Sequence, residues 1–348
     1  MKVSRIFGGL VLTALLLAIP WIVPDDYILH LIIYAGFFVM LASGLNLLVG
    51  YMGQLSLGHG AFWGLGAYCS ALLALKQGWP FWLGLPAGGL LAAVFAILLG
   101  RLILKVRGHR FVIITLAFQI IVQLVHYNWI GLTDGQNGLA GVPSPTLEVP
   151  GVGKIDFFSK TNFYYLILVF CVITVYVCYR VANSRVGRAL EAIRENEPLA
   201  ESVGVSAFRY SMIAFVLGAF FAGLAGSLYA HYTRYISPDV FDFLHIVEML
   251  TMVLLGGRAT ILGPVVGALI FTGLPEALRF VPNPFWGLSW APGHLVTSKA
   301  LPAELQLMVF GLILLLGVVY MPEGIVPWVR KRFGRRPVAQ ADEEAHPA

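Results

Sequence analysis

Residues able to do chemistry are sparse in this chain and fall into three groups. The first is a glycine-punctuated turn, GYMGQLSLGHG (Gly50 to Gly60), which sets Gln54, Ser56 and His59 between two long apolar runs, with Asn46 approaching from the run before it. Amide, hydroxyl and imidazole groups can exchange hydrogen bonds with a passing polar solute. Irregular polar backbone amid apolar runs is tolerated only where it is buried in protein or lines a watery cavity. Pathway lining and simple turn chemistry account for these residues equally well. The second group is a single residue, Glu248, inside the short apolar run 246–256. An ionisable group there is costly and marks function or pairing; a salt bridge to Arg234 or Arg279 is the structural alternative.

The third group is the stretch Ser184 to Gly204, SRVGRALEAIRENEPLAESVG, which is charged yet helical in pattern. Val186, Leu190 and Ile193 recur at helical spacing and leave Arg185, Arg188, Glu191, Arg194 and Glu195 on other faces. Asn196 offers an N-cap, Pro198 suits a first helical turn and Gly204 supplies a stop, so two short helices should meet at Glu195 to Glu197. Such a corner can dock into a partner's groove. A solvated loop with paired surface charges is the other reading.

Several chemistries find no residues here. The one Gly-Lys pair, Gly153-Lys154, lacks the glycine before it and the hydroxyl after it that a phosphate-binding loop needs, so the chain carries no ATPase motif. HExxH, CxxC and GxSxG are absent, which leaves no catalytic residue to name and little support for an intramembrane enzyme. Cys69, Cys171 and Cys178 are widely spaced inside apolar runs and form neither a disulfide framework nor a metal site; they read as small packing residues. No cofactor is expected on this chain, and no nucleic-acid motif accompanies its net charge of +5.

The elements that must position these groups are membrane helices. With 58% hydrophobic and 12% charged residues over 348 positions, and a mean hydropathy of +0.81, the chain is too apolar for a soluble fold. Its apolar runs have the length a helix needs to cross about 30 Å of hydrocarbon, not the alternation of a β-barrel. An all-α polytopic membrane protein is expected, a single transmembrane domain over 1–348. Ten runs can be placed, at 6–23, 27–49, 60–75, 81–104, 111–130, 162–182, 209–231, 246–256, 260–278 and 304–321. The first follows Lys2 and Arg5 as a secretory signal would, but without a clean cleavage site, so a retained helix is expected. Residues 331–348 read as a disordered cytoplasmic tail.

Charge sets the orientation. If residue 1 is cytoplasmic and every run crosses, 17 of the 23 basic residues fall inside, leaving only Lys76, Lys154, Lys160, Arg234, Arg279 and Lys299 outside. That is the positive-inside bias, and it puts both termini in the cytoplasm. Fusing 246–256 with 260–278 into one crossing would strand the Arg-rich C-terminal cluster outside, so parity calls for a hairpin or re-entrant pair turning at Gly256, Gly257 and Arg258. Five runs on each side of the outer loop 131–162 meet the odd-number condition for an inverted 5+5 repeat. Small residues four apart (Gly60 and Gly64, Gly84 and Gly88, Gly263 and Gly267, and the ladder Gly218, Ala222, Gly226) let helix backbones approach closely.

Four segments in order resemble the M-type membrane subunit of the bacterial branched-chain amino acid ABC uptake systems. They are GLNLLVGYMGQLSLGHGAFWGLGAY (Gly44 to Tyr68), TDGQNGLAGVP (Thr133 to Pro143), RVGRALEAIRENEPLAESVGV (Arg185 to Val205) and EMLTMVLLGGRATILGPVVGA (Glu248 to Ala268). The resemblance covers about residues 28–325 and departs at Asp134 and Ala259, where many relatives carry glycine. It implies an inner-membrane permease subunit working with a second, related permease, two cytoplasmic ATP-binding subunits and a periplasmic substrate-binding protein. It also makes 183–205 the coupling helices, with Glu191-Ala192 a worn Glu-Ala-Ala sequence and Arg194, Glu195, Asn196 and Glu197 beside it as contacts to the ATPase. A permease of the same fold for urea, short amides or other amino acids is the nearest rival reading. An ion-coupled secondary transporter is a rival from another class, for which Glu248 alone is a poor supply of intramembrane carboxylates.

Overall fold

A computed structural model describes residues 16–22, 25–149, 153–280, 282 and 302–333. Most of them are helical: α1 (Asp26–Asn46), α2 (His59–Gln77), α3 (Phe81–Ile103), α4 (His109–Asn128), α5 (Lys160–Ala182), α6 (Arg185–Glu195), α7 (Glu197–Ser202), α8 (Ala207–Thr233), α9 (Phe243–Gly256), α10 (Gly263–Arg279), α11 (Ala303–Tyr320) and α12 (Ile325–Phe333). Five stretches among the described residues are long and apolar enough to cross a membrane: Asp26–Met52, Phe81–Ile103, His109–Asn128, Lys160–Ala182 and Ala207–Thr233. The expected run at 6–23 lies largely outside the described residues. The runs at 60–75, 246–256, 260–278 and 304–321 correspond to α2, α9, α10 and α11. Helix α12 carries regular structure to Phe333, three residues into the expected tail; 334–348 lies outside the described residues.

Small residues decide which helices meet. Helix α8 lies against α2 and α3 along most of its length. A Cβ at Gly66 would strike the Gly223 carbonyl oxygen, one at Gly226 the Trp63 carbonyl, and one at Gly88 the Ser227 hydroxyl. Ser227 Oγ reaches across to the Gly66 carbonyl at 3.1 Å while keeping its own-helix bond to Gly223 O at 3.0 Å. Where lipid tails are as apolar as leucine, such close backbone contact and interhelical hydrogen bonding drive association. Helices α1 and α8 are accordingly the centre, 72% buried along their apolar windows, against 22% for the peripheral α5.

The chain departs from ordinary helix at two places. Helix α1 widens into a π-helical turn, Leu47–Met52, closed by Gly53 in the left-handed conformation at φ 74°. The run 246–278 is broken as parity required: α9 has 14 residues, about 21 Å at 1.5 Å per residue and too short to cross alone. It turns through Gly257–Leu262 into α10. The two helices pack backbone to backbone, since a Cβ at Gly267 would collide with the carbonyl of Met252 and one at Gly256 with that of Gly263.

The loop 131–162, with the segment after α8, carries short strands that the all-α expectation lacked. Strand β1 (Leu139–Ala140) pairs antiparallel with β4 (Tyr235–Ile236), and β2 (Thr146–Val149) with β3 (Gly153–Asp156). The Arg234 carbonyl accepts from Gly141 and Val142 N–H, at 3.0 and 3.3 Å. His231 fastens the same loop from inside α8. Its Nδ1 lies 2.7 Å from the Pro143 carbonyl, which can only accept, so Nδ1 donates, and in the neutral ring Nε2 then accepts from the Ser70 hydroxyl at 2.8 Å.

Candidate functional site

The segment 183–205 folds into the expected corner. Ser184 caps α6, its Oγ accepting from Val186 N–H at 3.0 Å, and Asn196 caps α7, its Oδ1 accepting from Leu199 N–H at 3.1 Å. Pro198 sits in the first turn of α7, and Gly204, at φ 87°, ends the unit. Leu190 and Ile193 are buried and Val186 half-buried, which fixes α6 to the bundle. Of the candidate contact residues, Ala192, Arg194, Glu195 and Asn196 are exposed while Glu191 and Glu197 are half-buried. Glu197 is held by Arg107 from the loop between α3 and α4, at 2.6 Å.

Two residues at this corner were not singled out from the sequence. Leu199 is 63% exposed and Val203 75% exposed, one helical turn apart at the end of the chain's most charged corner. A pair of bare aliphatic side chains on a helix with Glu197 and Glu201 resembles the centre of a protein interface. Their apolar character at i and i+4 was the available signal.

Behind the corner lies a junction of three elements. Arg194 extends from α6 so that Nη1 donates to the Gly50 carbonyl in the π-turn at 2.8 Å, with its aliphatic stem over Gly53. One helical turn before Gly50, the Asn46 carboxamide reaches the hairpin turn: Nδ2 donates to Thr260 O at 2.8 Å, and Oδ1 accepts from Ala259 N–H at 3.1 Å. A cavity of about 580 Å³ opens beside the junction, with Arg194, Glu195, Arg258 and Glu323 among its lining.

The four residues of the glycine-rich turn do not converge on one surface. Both ends of the Asn46 amide are engaged as above. Gln54 is half-buried. Ser56 is fully buried, its Oγ 3.4 Å from Gly58 N, and His59 opens α2 with 1% exposure and no hydrogen-bond partner on Nε2. Glu248 is half-buried on α9 within electrostatic reach of His245 and Tyr34. The two cations weighed for it are occupied elsewhere: Arg279 pairs with Glu276 at 3.0 Å, and the Arg234 guanidinium stacks 4.4 Å over the Phe158 ring.

The two departures from the family pattern have a structural counterpart. Among the described residues, those other than glycine with positive φ are Asp134, Arg234 and Ala259, each at 57°. Glycine enters that region without a Cβ penalty, so Asp134 and Ala259 keep a glycine's backbone without its freedom.

Contacts also sort the loops into two ends. Arg107–Glu197, Arg194–Gly50 and the cavity with Arg258 share one end of the bundle. Lys160 with Asp26, Lys76 with the Gly131 carbonyl and Arg279 with Tyr27 share the other.

A family model described as the permease component of the branched-chain amino acid transport system matches residues 27–318. The high-affinity branched-chain amino acid transport system permease protein LivM of Escherichia coli (strain K12) is 32% identical over 326 residues, covering 88% of this chain and 72% of that one. Its Salmonella typhimurium counterpart is 32% identical over 311 residues, 84% and 68% of the two chains. The same system's LivH permease from Salmonella typhimurium is 28% identical over 305 residues, 83% of this chain and 91% of LivH. No solved structure matches the chain.

Proposed function

The chain belongs to the permease family of the branched-chain amino acid ABC transport systems, and we propose that it forms, with a second related permease, the membrane pathway of an importer driven by separate ATPase subunits. The observation that carries this reading is the capped α6–α7 corner. Its apolar face is anchored on the bundle while Leu199, Val203 and Glu195 are presented outward, in a chain with no phosphate-binding loop of its own. An energy source must then act from outside the chain. The corner is the surface built to receive it.

On this reading the corner and the basic loops at its end face the cytoplasm, both termini lie there, and the chain crosses the inner membrane ten times as two inverted halves. The folded outer loop 131–162 receives the periplasmic binding protein and its branched-chain amino acid. Ser56 and His59 lie along the route at the start of α2. Affinity purification of the tagged chain from membranes tests the assembly: a second permease and two ATP-binding subunits should come with it in fixed ratio. Recovery of the chain alone, under detergent conditions that keep other ABC importers intact, would contradict it.

A further inference from the structure

Asn46 and Gly50, one helical turn apart, meet Arg194 and Ala259 from two distant parts of the sequence at one point behind the corner. The geometry points to Asn46 as a positioning residue that locks the α9–α10 hairpin turn to the π-turn of α1, so that Arg194 moves both when α6 moves. This inference rests on reading α6–α7 as the ATPase-docking corner.

Four observations support it. Asn46 satisfies both members of the hairpin turn with one amide, donating to Thr260 O at 2.8 Å and accepting from Ala259 N–H at 3.1 Å. Gly50 leaves room for this: a Cβ there would overlap Asn46 Oδ1 and the Ala259 nitrogen, so the three backbones meet only over a glycine. The Gly50 carbonyl then takes Arg194 Nη1 at 2.8 Å, a charge-assisted bond from the corner itself. The clamped residue, Ala259, stands at φ 57°, a conformation its own side chain disfavours. The turn is held in that shape from outside, and the Asn46 amide is what holds it.

This separates two roles for Asn46, since a residue that contacts substrate would need its amide for the substrate and not for the turn. In the complete transporter reconstituted in liposomes, Asn46→Ala should lower amino acid uptake at least ten-fold while ATP hydrolysis stays within two-fold of wild type and the ATPases still co-purify. Adding Ala259→Gly eases the backbone of the turn but does not restore its link to the π-turn, so the double variant should stay at least ten-fold below wild type. Wild-type uptake by Asn46→Ala, or recovery of uptake on adding Ala259→Gly, overturns the proposal. If Asn46→Ala does not assemble, Asn46→Asp takes its place, keeping an acceptor for Ala259 N–H and losing the donor to Thr260 O. It should raise the ATP consumed per substrate imported at least five-fold with the ATPases still bound, and an unchanged ratio overturns the proposal. Failure of the docking reading looks different, because the ATPases would then be missing from the wild-type preparation as well.

Discussion

Arg107 and Glu197 form an ion pair at 2.6 Å that ties the loop after α3 to the first turn of α7. Both side chains are about a quarter to a third exposed, at 26% and 31%, so the pair is screened on one side only. A pair of this kind contributes about 1 kcal/mol. Glu197→Gln should therefore lower the thermal unfolding midpoint of the detergent-purified chain by a few degrees, and the swap Arg107→Glu with Glu197→Arg should restore most of it. Equal midpoints for wild type and Glu197→Gln would show that the corner is held by its apolar face alone.

The gathering of basic loops at one end of the bundle leads to a prediction about sidedness. A cysteine at Phe158, 62% exposed beside β3, should react with a membrane-impermeant maleimide added to intact cells. One at Arg188, on the exposed face of α6, should react only after the membrane is opened. Reaction of the Arg188 position in intact cells would invert the topology and remove the ATPase from reach of the corner.

The contact between α2 and α8 should tolerate no side chain. A Cβ at Gly66 meets the Gly223 carbonyl and backbone, neither of which can give way as a flexible side chain would. Gly66→Leu should cost about 3 kcal/mol or more and abolish recovery of folded chain. Gly131, with open space around it, should accept alanine without loss of yield. Normal yield and midpoint for Gly66→Leu would mean that these helices do not meet as described.

Local features were legible in the sequence because their causes are local. The cap at Asn196, the stop at Gly204 and the helix break at Gly256 to Arg258 each depend on a few neighbouring residues, and the structure forms them where the pattern indicated. The small-residue spacings announced close packing but not the partner, since Gly66 and Gly223 are matched only by the bundle. Asn46 was legible as a polar residue near a turn, yet its bonds run to Ala259 and Thr260, more than two hundred positions away. The strand pairing of Leu139 with Ile236 was likewise invisible, because two-residue strands carry no periodicity to read. Asp134 and Ala259 were visible as departures from a family pattern. Only the backbone angles say that the conformation glycine favours has been kept.

The central claim is that the exposed tip of α7 is seated against an ATPase, and a photo-crosslinking amino acid at Leu199 tests it most directly. The Leu199 side chain is 63% exposed, so its replacement should leave folding intact. Irradiation of intact cells should yield a covalent adduct whose added mass and peptides are those of an ATP-binding subunit, absent when the probe is placed at Phe158 at the other end of the bundle. Adducts with lipid or water alone at Leu199, in cells where the transporter is active, would contradict the account.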